Sequence, residues 1–218
     1  MTLSHEQARR FYDRFGARQD DQASYEDPAT ELLVREGHFK RASAVLEFGA
    51  GTGRLASRLL TGVLPPTCTY LAIDQSATMV RLARERLQPW GVRAEVRHSG
   101  GEIAFDCEAA VFDRVLSTYV LDLLSEEDIG AFVAEAHRAL RVGGLLCLAS
   151  LTHGRGPATS VVSSLWKLVY GLRPALVGGC RPVEIADYLA AANWEVRSAD
   201  TIASRLITSQ LLVAERLR

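Results

Sequence analysis

The chain has 218 residues, with 25 lysines and arginines against 26 aspartates and glutamates, for a formal net charge of −1. That length fits one domain with a sizeable core, and the near-neutral balance gives no basic footprint for nucleic acid. No apolar run reaches the roughly 18 residues of a transmembrane span, and the N-terminus lacks the basic-then-apolar pattern of a signal peptide.

Lys40 and Lys167 are the only lysines, so arginine carries nearly all the positive charge, which reads as base-composition bias. Cys68, Cys107, Cys147 and Cys180 have no C-x-x-C spacing. They read as reduced thiols in a cytoplasmic protein, and no metal site is expected.

Residues 4–16 are expected to form a helix. Ser4 is its N-cap and Gln7 its capping-box partner. Ala8, Phe11, Tyr12 and Phe15 share one face, and Gly16 ends it. Residues 17–26 are polar and read as a loop. Pro28 suits the first turn of a second helix, about 28–39, with Leu32, Leu33 and Phe39 turned inward. Residues 1–41 thus form a helical arm ahead of the first strand.

Residues 44–48 are a short apolar run, as expected of an inner parallel strand. Gly49, Gly51 and Gly53 follow, then a helix from Arg54 to Leu60. Glycines permit positive φ and let a ligand approach the backbone. The free N–H groups of the helix start suit a negative ligand group. A dinucleotide fold asks for G-x-G-x-x-G, which would put a glycine where Arg54 stands. The pattern present is Glu47-x-Gly49-x-Gly51-x-Gly53.

Pro65 and Pro66 separate this helix from a second strand, Thr69–Ile73, which ends at Asp74. A short acid there is placed to accept hydrogen bonds from ribose hydroxyls. Its competing use, as a helix cap, falls instead to Ser76. A helix over 76–87 buries Met79, Val80, Leu82, Ala83 and Leu87. Residues 94–98 form a third strand, followed by the turn Ser99-Gly100-Gly101-Glu102-Ile103. A fourth strand covers 111–117, with Asp113 structural. Ser125 caps a helix reaching Leu140, with Glu126, Glu127 and Asp128 in its first turn. Residues 141–144 turn into a fifth strand, Leu145–Ala149.

The pattern changes over 152–181, where breakers flank an apolar stretch carrying Trp166 and Tyr170. This is too long for a plain turn. It is either a substrate lid, with an apolar acceptor or a lipid surface as its counterpart, or an ordinary core helix. His153 and Cys180 are candidates for a general base and a reactive thiol, against a structural role beside glycines. Pro182 opens a further helix to Ala192, and strands at 195–200 and 207–215 close the chain.

The acid-led glycine loop resembles the first motif of the class I S-adenosylmethionine-dependent methyltransferases. Phe112-Asp113-Arg114-Val115 is similar to the family's fourth strand, and Gly143-Gly144 to its turn before the fifth. Phe11-Tyr12-Asp13-Arg14-Phe15-Gly16 resembles the arm of its quinone and phospholipid members. The resemblance implies an α/β fold with a Rossmann-like seven-stranded sheet. That sheet is mostly parallel with one antiparallel edge strand, and helices cover both faces. The chain would be one domain, 1–218, with a cofactor core at 42–151, a lid at 152–181 and a closing helix and hairpin at 182–218.

It also implies S-adenosylmethionine as cofactor and S-adenosylhomocysteine as product. Glu47 would position the loop or the cofactor's amino group, with Gly49, Gly51 and Gly53 giving backbone approach. Asp74 would bind ribose, Gln75 and Met79 would lie near adenosine, and Gly101-Glu102 would meet the adenine amino group. Tyr12 is a candidate for the cofactor carboxylate, or simply part of its helix's packing stripe. Ser117, which opens the segment facing the acceptor, would also be a cofactor contact. Tyr119, Asp122 and His153 are the catalytic candidates, with packing on adenine as the other use of Tyr119. The acceptor is a small molecule, ranging over lipid-like, quinone and thiol compounds, with peripheral membrane contact open. Two other classes stay in play: an NAD(P)-dependent oxidoreductase and a non-catalytic cofactor-binding protein.

Overall fold

The computed structural model describes residues 5–154, 156, 159 and 179–218. Most of the expected lid, 155, 157–158 and 160–178, lies outside the described residues. In chain order the elements are α1 (His5–Phe15), a short 3-10 helix (Gly16–Gln22), α2 (Ala23–Glu36), β1 (Ala44–Phe48), α3 (Arg54–Gly62) and β2 (Thr69–Asp74). There follow α4 (Ala77–Leu87), β3 (Ala94–His98), β4 (Phe112–Thr118), α5 (Glu126–Ala139), β5 (Leu140–Leu151), β6 (Trp194–Ser204) and β7 (Ile207–Arg216).

The strands form one seven-stranded sheet in the order β3-β2-β1-β4-β5-β7-β6. β1 to β5 run parallel, and β7 is antiparallel to both its neighbours, β5 and β6. Successive side chains of a strand point to opposite faces, and both faces here are buried. Val45, Tyr70, Leu116 and Cys147 pack on one side with residues of α2, α3 and α4. Leu46, Leu71, Val115 and Leu146 pack on the other with Ile129, Phe132 and Ala136 of α5. Strands covered on both sides read as largely apolar runs, as Ala44–Leu46 of β1 and Leu145–Ala149 of β5 do. No helix among the described residues is long and apolar enough to cross a membrane.

Three local expectations are corrected. Residues 17–26 are not a loop, and α2 begins at Ala23, so Pro28 lies inside it. Proline's missing N–H leaves the Ser24 carbonyl without its helical donor, and the Ser204 hydroxyl donates to that oxygen at 3.4 Å. Residues 141–144 do not turn between elements. β5 starts directly at Leu140, and the segment forms a bulge with Gly143 at φ 76°. The helix expected over 182–192 is only a 3-10 turn, Ile185–Tyr188. The backbone before it is tied to the sheet end, with Arg181 N donating to Asp122 O at 2.9 Å and Val183 N to Leu151 O at 3.0 Å.

The arm is pinned by three aspartates seven residues apart. Asp13 accepts from the Ser76 hydroxyl at 2.5 Å. Asp20 accepts from Thr52 Oγ1 at 2.6 Å and Arg86 at 2.7 Å. Asp27 accepts from Arg54 and Arg58, each at 2.8 Å. The arm therefore crosses the carboxyl ends of β1 and β2, where open α/β sheets bind ligands.

Candidate cofactor site

The glycine loop is anchored to β2. Gly49 N and Ala50 N both donate to Ile73 O, at 2.8 and 3.0 Å. Asp74 continues the anchor, accepting Gly51 N on Oδ2 and Ser76 N on Oδ1, each at 2.8 Å. Gly49 has φ 77°, and a side chain there would collide with Val120 beyond β4. Gly51 has φ 54°, and a side chain there would collide with the amide of Gln19 on the arm. Gly49 thus demands glycine for both φ and space, and Gly51 for φ, with the Gln19 amide filling the room its missing side chain leaves.

Two cavities meet above this loop. The larger encloses about 660 Å³ including its mouth. Tyr12, Asp74, Met79, Glu102 and Leu124 are among its lining residues. The smaller encloses about 470 Å³ and is markedly polar, with Asp20, Glu26, Glu47, Thr52 and Arg54 on its walls. Gln19, Gly49, Thr118 and Tyr119 line both. Sites of this size with a few convergent polar groups are the usual form of small-ligand pockets.

Burial dominates the electrostatics. It pushes the Glu47 carboxyl up to about 8, against the Tyr70 hydroxyl that donates to it at 2.8 Å. Burial likewise raises Glu26 to about 7, with Arg54 opposing at 3.8 Å. Asp122 rises to about 6 through burial, despite its bonds to Cys180 and Ser150. Asp74 is raised by burial against the opposing N–H groups of Ser76 and Gly51. A carboxyl held neutral in a cleft is poised to ionise when a cationic ligand group arrives.

The expected residues divide. Tyr12, Gly49, Gly51, Asp74, Gln75, Met79, Gly101, Glu102 and Tyr119 line the larger cavity, and Glu47 lines the smaller. Gly53 lines neither: it caps α3 with φ 74°, and a side chain there would press against Ala83 of α4 at 3.1 Å. Ser117 is buried, its hydroxyl donating to Phe48 O at 2.9 Å. Asp122 is fully buried behind the cleft, beside Cys180, whose thiol also bonds Tyr12. His153 is exposed and lines neither cavity. Tyr12 packs edge-on to Phe11 at 5.3 Å and lines the larger cavity.

Sequence reasoning missed Gln19, Glu26 and Thr118. Gln19 and Glu26 sit in the stretch read as loop. Thr118 carried a signal, since it ends a strand next to the glycine loop.

Residues 45–144 match the methyltransferase-domain family. An uncharacterized methyltransferase of Geobacillus sp. (strain WCH70) is 30% identical over 127 residues, covering 58% of this chain and 54% of that protein. The chain spans about half the length of the first curated relatives it matches. Among solved structures, the cyclase SpnF superposes with a TM-score of 0.76 at 14% identity, covering 99% of this chain and 98% of that one. A geranyl diphosphate methyltransferase, in complex with GPP and sinefungin, gives a TM-score of 0.73 at 12% identity, with 98% and 99% coverage. The matching segment, the sheet order and the acid-led glycine loop agree, and residues 45–144 are similar to methyltransferase domains built on a Rossmann-like sheet.

Proposed function

We propose that the chain binds S-adenosylmethionine and transfers its methyl group to a small acceptor with an apolar body. One observation carries this reading: the cleft has two unlike halves that meet over Gly49. The larger half, with Asp74 and Glu102 at its wall and Met79 and Leu124 beside them, suits a nucleoside. The smaller half, with Glu47, Glu26 and Arg54, suits the zwitterionic end of an amino acid.

When bound, the cofactor supplies a methyl group on a positively charged sulfur. The chain's own task is then alignment and exclusion of water. Asp74 keeps lone pairs for ribose hydroxyls, and the Gly49 backbone offers close approach. Tyr119 stands where the two cavities join, so its ring and hydroxyl can orient an acceptor, whereas Asp122 is buried behind the cleft and lines neither cavity. Lipid-like, quinone and thiol acceptors all suit this reading, and a cytoplasmic location goes with it. Support for an apolar acceptor comes from the neighbour named for geranyl diphosphate.

A second reading has its own observation. The neighbour covering 99% of this chain is named as a cyclase, so the fold also serves chemistry other than methyl transfer. Calorimetric titration with S-adenosylmethionine, S-adenosylhomocysteine and NADH tests the cofactor. Micromolar binding of the first two and none of NADH is expected. Methyl transfer across apolar phenols, quinols, thiols and amines then tests the reaction, and binding without turnover on any of them would favour the second reading.

A further inference from the structure

We infer that Gln19 is a cofactor ligand, its side-chain oxygen accepting a hydrogen bond from the ammonium group of the cofactor's amino-acid end. The inference rests on the cofactor reading and extends it to a residue of the arm. Three observations converge. The amide of Gln19 occupies the space that the missing side chain of Gly51 leaves open. Gln19 lines both cavities, at the place where they join. Its Oε1 is buried and has no hydrogen-bond partner among the described residues.

A buried acceptor without a donor is costly, about 1–3 kcal/mol, and native structures rarely keep one without a use. The neighbouring polar groups do not answer it. Asp20, the next residue, is engaged with Thr52 and Arg86, and the N–H of Gly51 is engaged with Asp74. The missing partner must bring a donor into the join between a nucleoside-like and an amino-acid-like half. An ammonium group has three donors, so it can satisfy Gln19 and a carboxylate such as Glu47 together. The bond of Asp20 to Thr52 holds the arm over the loop and so fixes where Gln19 points.

The test compares two probes. S-adenosylhomocysteine carries the amino-acid end, whereas 5′-methylthioadenosine keeps the adenosine and the sulfur but lacks it. In calorimetry, Gln19→Ala is expected to weaken S-adenosylhomocysteine about tenfold and to leave 5′-methylthioadenosine unchanged. Gln19→Glu, which keeps an acceptor, should retain S-adenosylhomocysteine binding. Equal losses for both probes would make Gln19 a support of the adenosine half and overturn the inference. Tighter binding of both by Gln19→Ala would make it a plug and overturn it as well. If the folded wild-type protein binds neither probe, the cofactor reading itself fails and takes this inference with it.

Discussion

The Asp74 carboxylate accepts the backbone N–H of Gly51 at 2.8 Å, so the acid at the end of β2 is joined to the glycine loop. The same side chain accepts Ser76 N at 2.8 Å, which fixes the start of α4. Asp74 therefore shapes the loop and faces the larger cavity at once. Asp74→Ala is expected to weaken S-adenosylhomocysteine by about 1–3 kcal/mol, a loss of roughly 10- to 100-fold. It should also lower the melting temperature, because two buried N–H groups lose their acceptor. Calorimetry and thermal unfolding read the two effects separately, and an unaltered affinity would remove Asp74 from the site.

Glu47 gives a proton-linked prediction. Burial holds its carboxyl at about 8 in the free chain, so at pH 7 it is mainly protonated. A cofactor ammonium beside it would favour the ionised form. Binding of S-adenosylhomocysteine at pH 7 should therefore release up to about one proton. Titrations at pH 7 in buffers of different ionisation enthalpy measure this directly. Glu47→Gln should abolish the release, and the same release from that variant would assign it elsewhere.

How far the site was legible in the sequence depends on the reach of its contacts. The strands were readable because an apolar run is local, and the glycine loop because positive φ is a local demand. The stretch 17–26 was misread because its polarity resembles a solvated loop. In the fold, Asp20 bonds Thr52 and Arg86, 32 and 66 residues away, and Asp27 bonds Arg54, 27 residues away. Polar residues satisfied by distant partners leave no local trace. The false helix at 182–192 has a similar origin, since Arg181 N and Val183 N tie the backbone to distant carbonyls at the sheet end and the chain is still extended at Glu184.

These clamps predict a local opening of the arm. Asp20 is partly exposed, and its ion pair with Arg86 at 2.7 Å is worth at most about 1 kcal/mol. Its carboxyl is nevertheless held below the usual value: burial raises it, and the bonds from Arg86 and Thr52 outweigh that. Asp20→Ala should leave the global unfolding midpoint nearly unchanged while speeding amide exchange across residues 5–22. Uniformly faster exchange over the whole sheet would mean that the arm and core open as one unit.

The free chain should lose stability as pH rises. Folded-state values of about 6 for Asp122, about 7 for Glu26 and about 8 for Glu47 all lie above their ordinary carboxylate values. The folded chain thus binds more protons than the unfolded one, so unfolding free energy falls with pH. The stabilisation is complete below about pH 4 and is lost as pH passes through 6 to 8, with a slope of about 1.4 kcal/mol per unit for each group titrating alone in the unfolded state's favour. Urea unfolding at pH 5.5 and 8.5 should show the higher midpoint at the lower pH, and the difference should shrink in Glu47→Gln. A midpoint independent of pH would show that these carboxyls ionise in the folded chain without strain.

Tyr119 combines a strained backbone with a position between the two cavities. Its φ is 57°, a left-handed conformation that costs a bulky residue roughly 1–2 kcal/mol. Its N–H donates to Ala149 O at 2.8 Å and its hydroxyl to Ser209 Oγ at 2.9 Å, so β5 and β7 hold it in place. Tyr119→Phe keeps the backbone and the ring but loses the hydroxyl bond. It should cost about 1 kcal/mol in urea unfolding and leave S-adenosylhomocysteine affinity unchanged, while lowering turnover if the hydroxyl orients the acceptor. Tyr119→Gly relieves the backbone but empties the join between the cavities, so affinity should fall although φ is no longer strained. A Phe variant that loses cofactor affinity would instead make the hydroxyl a cofactor ligand, and the strain would then serve binding and not the orientation of the acceptor.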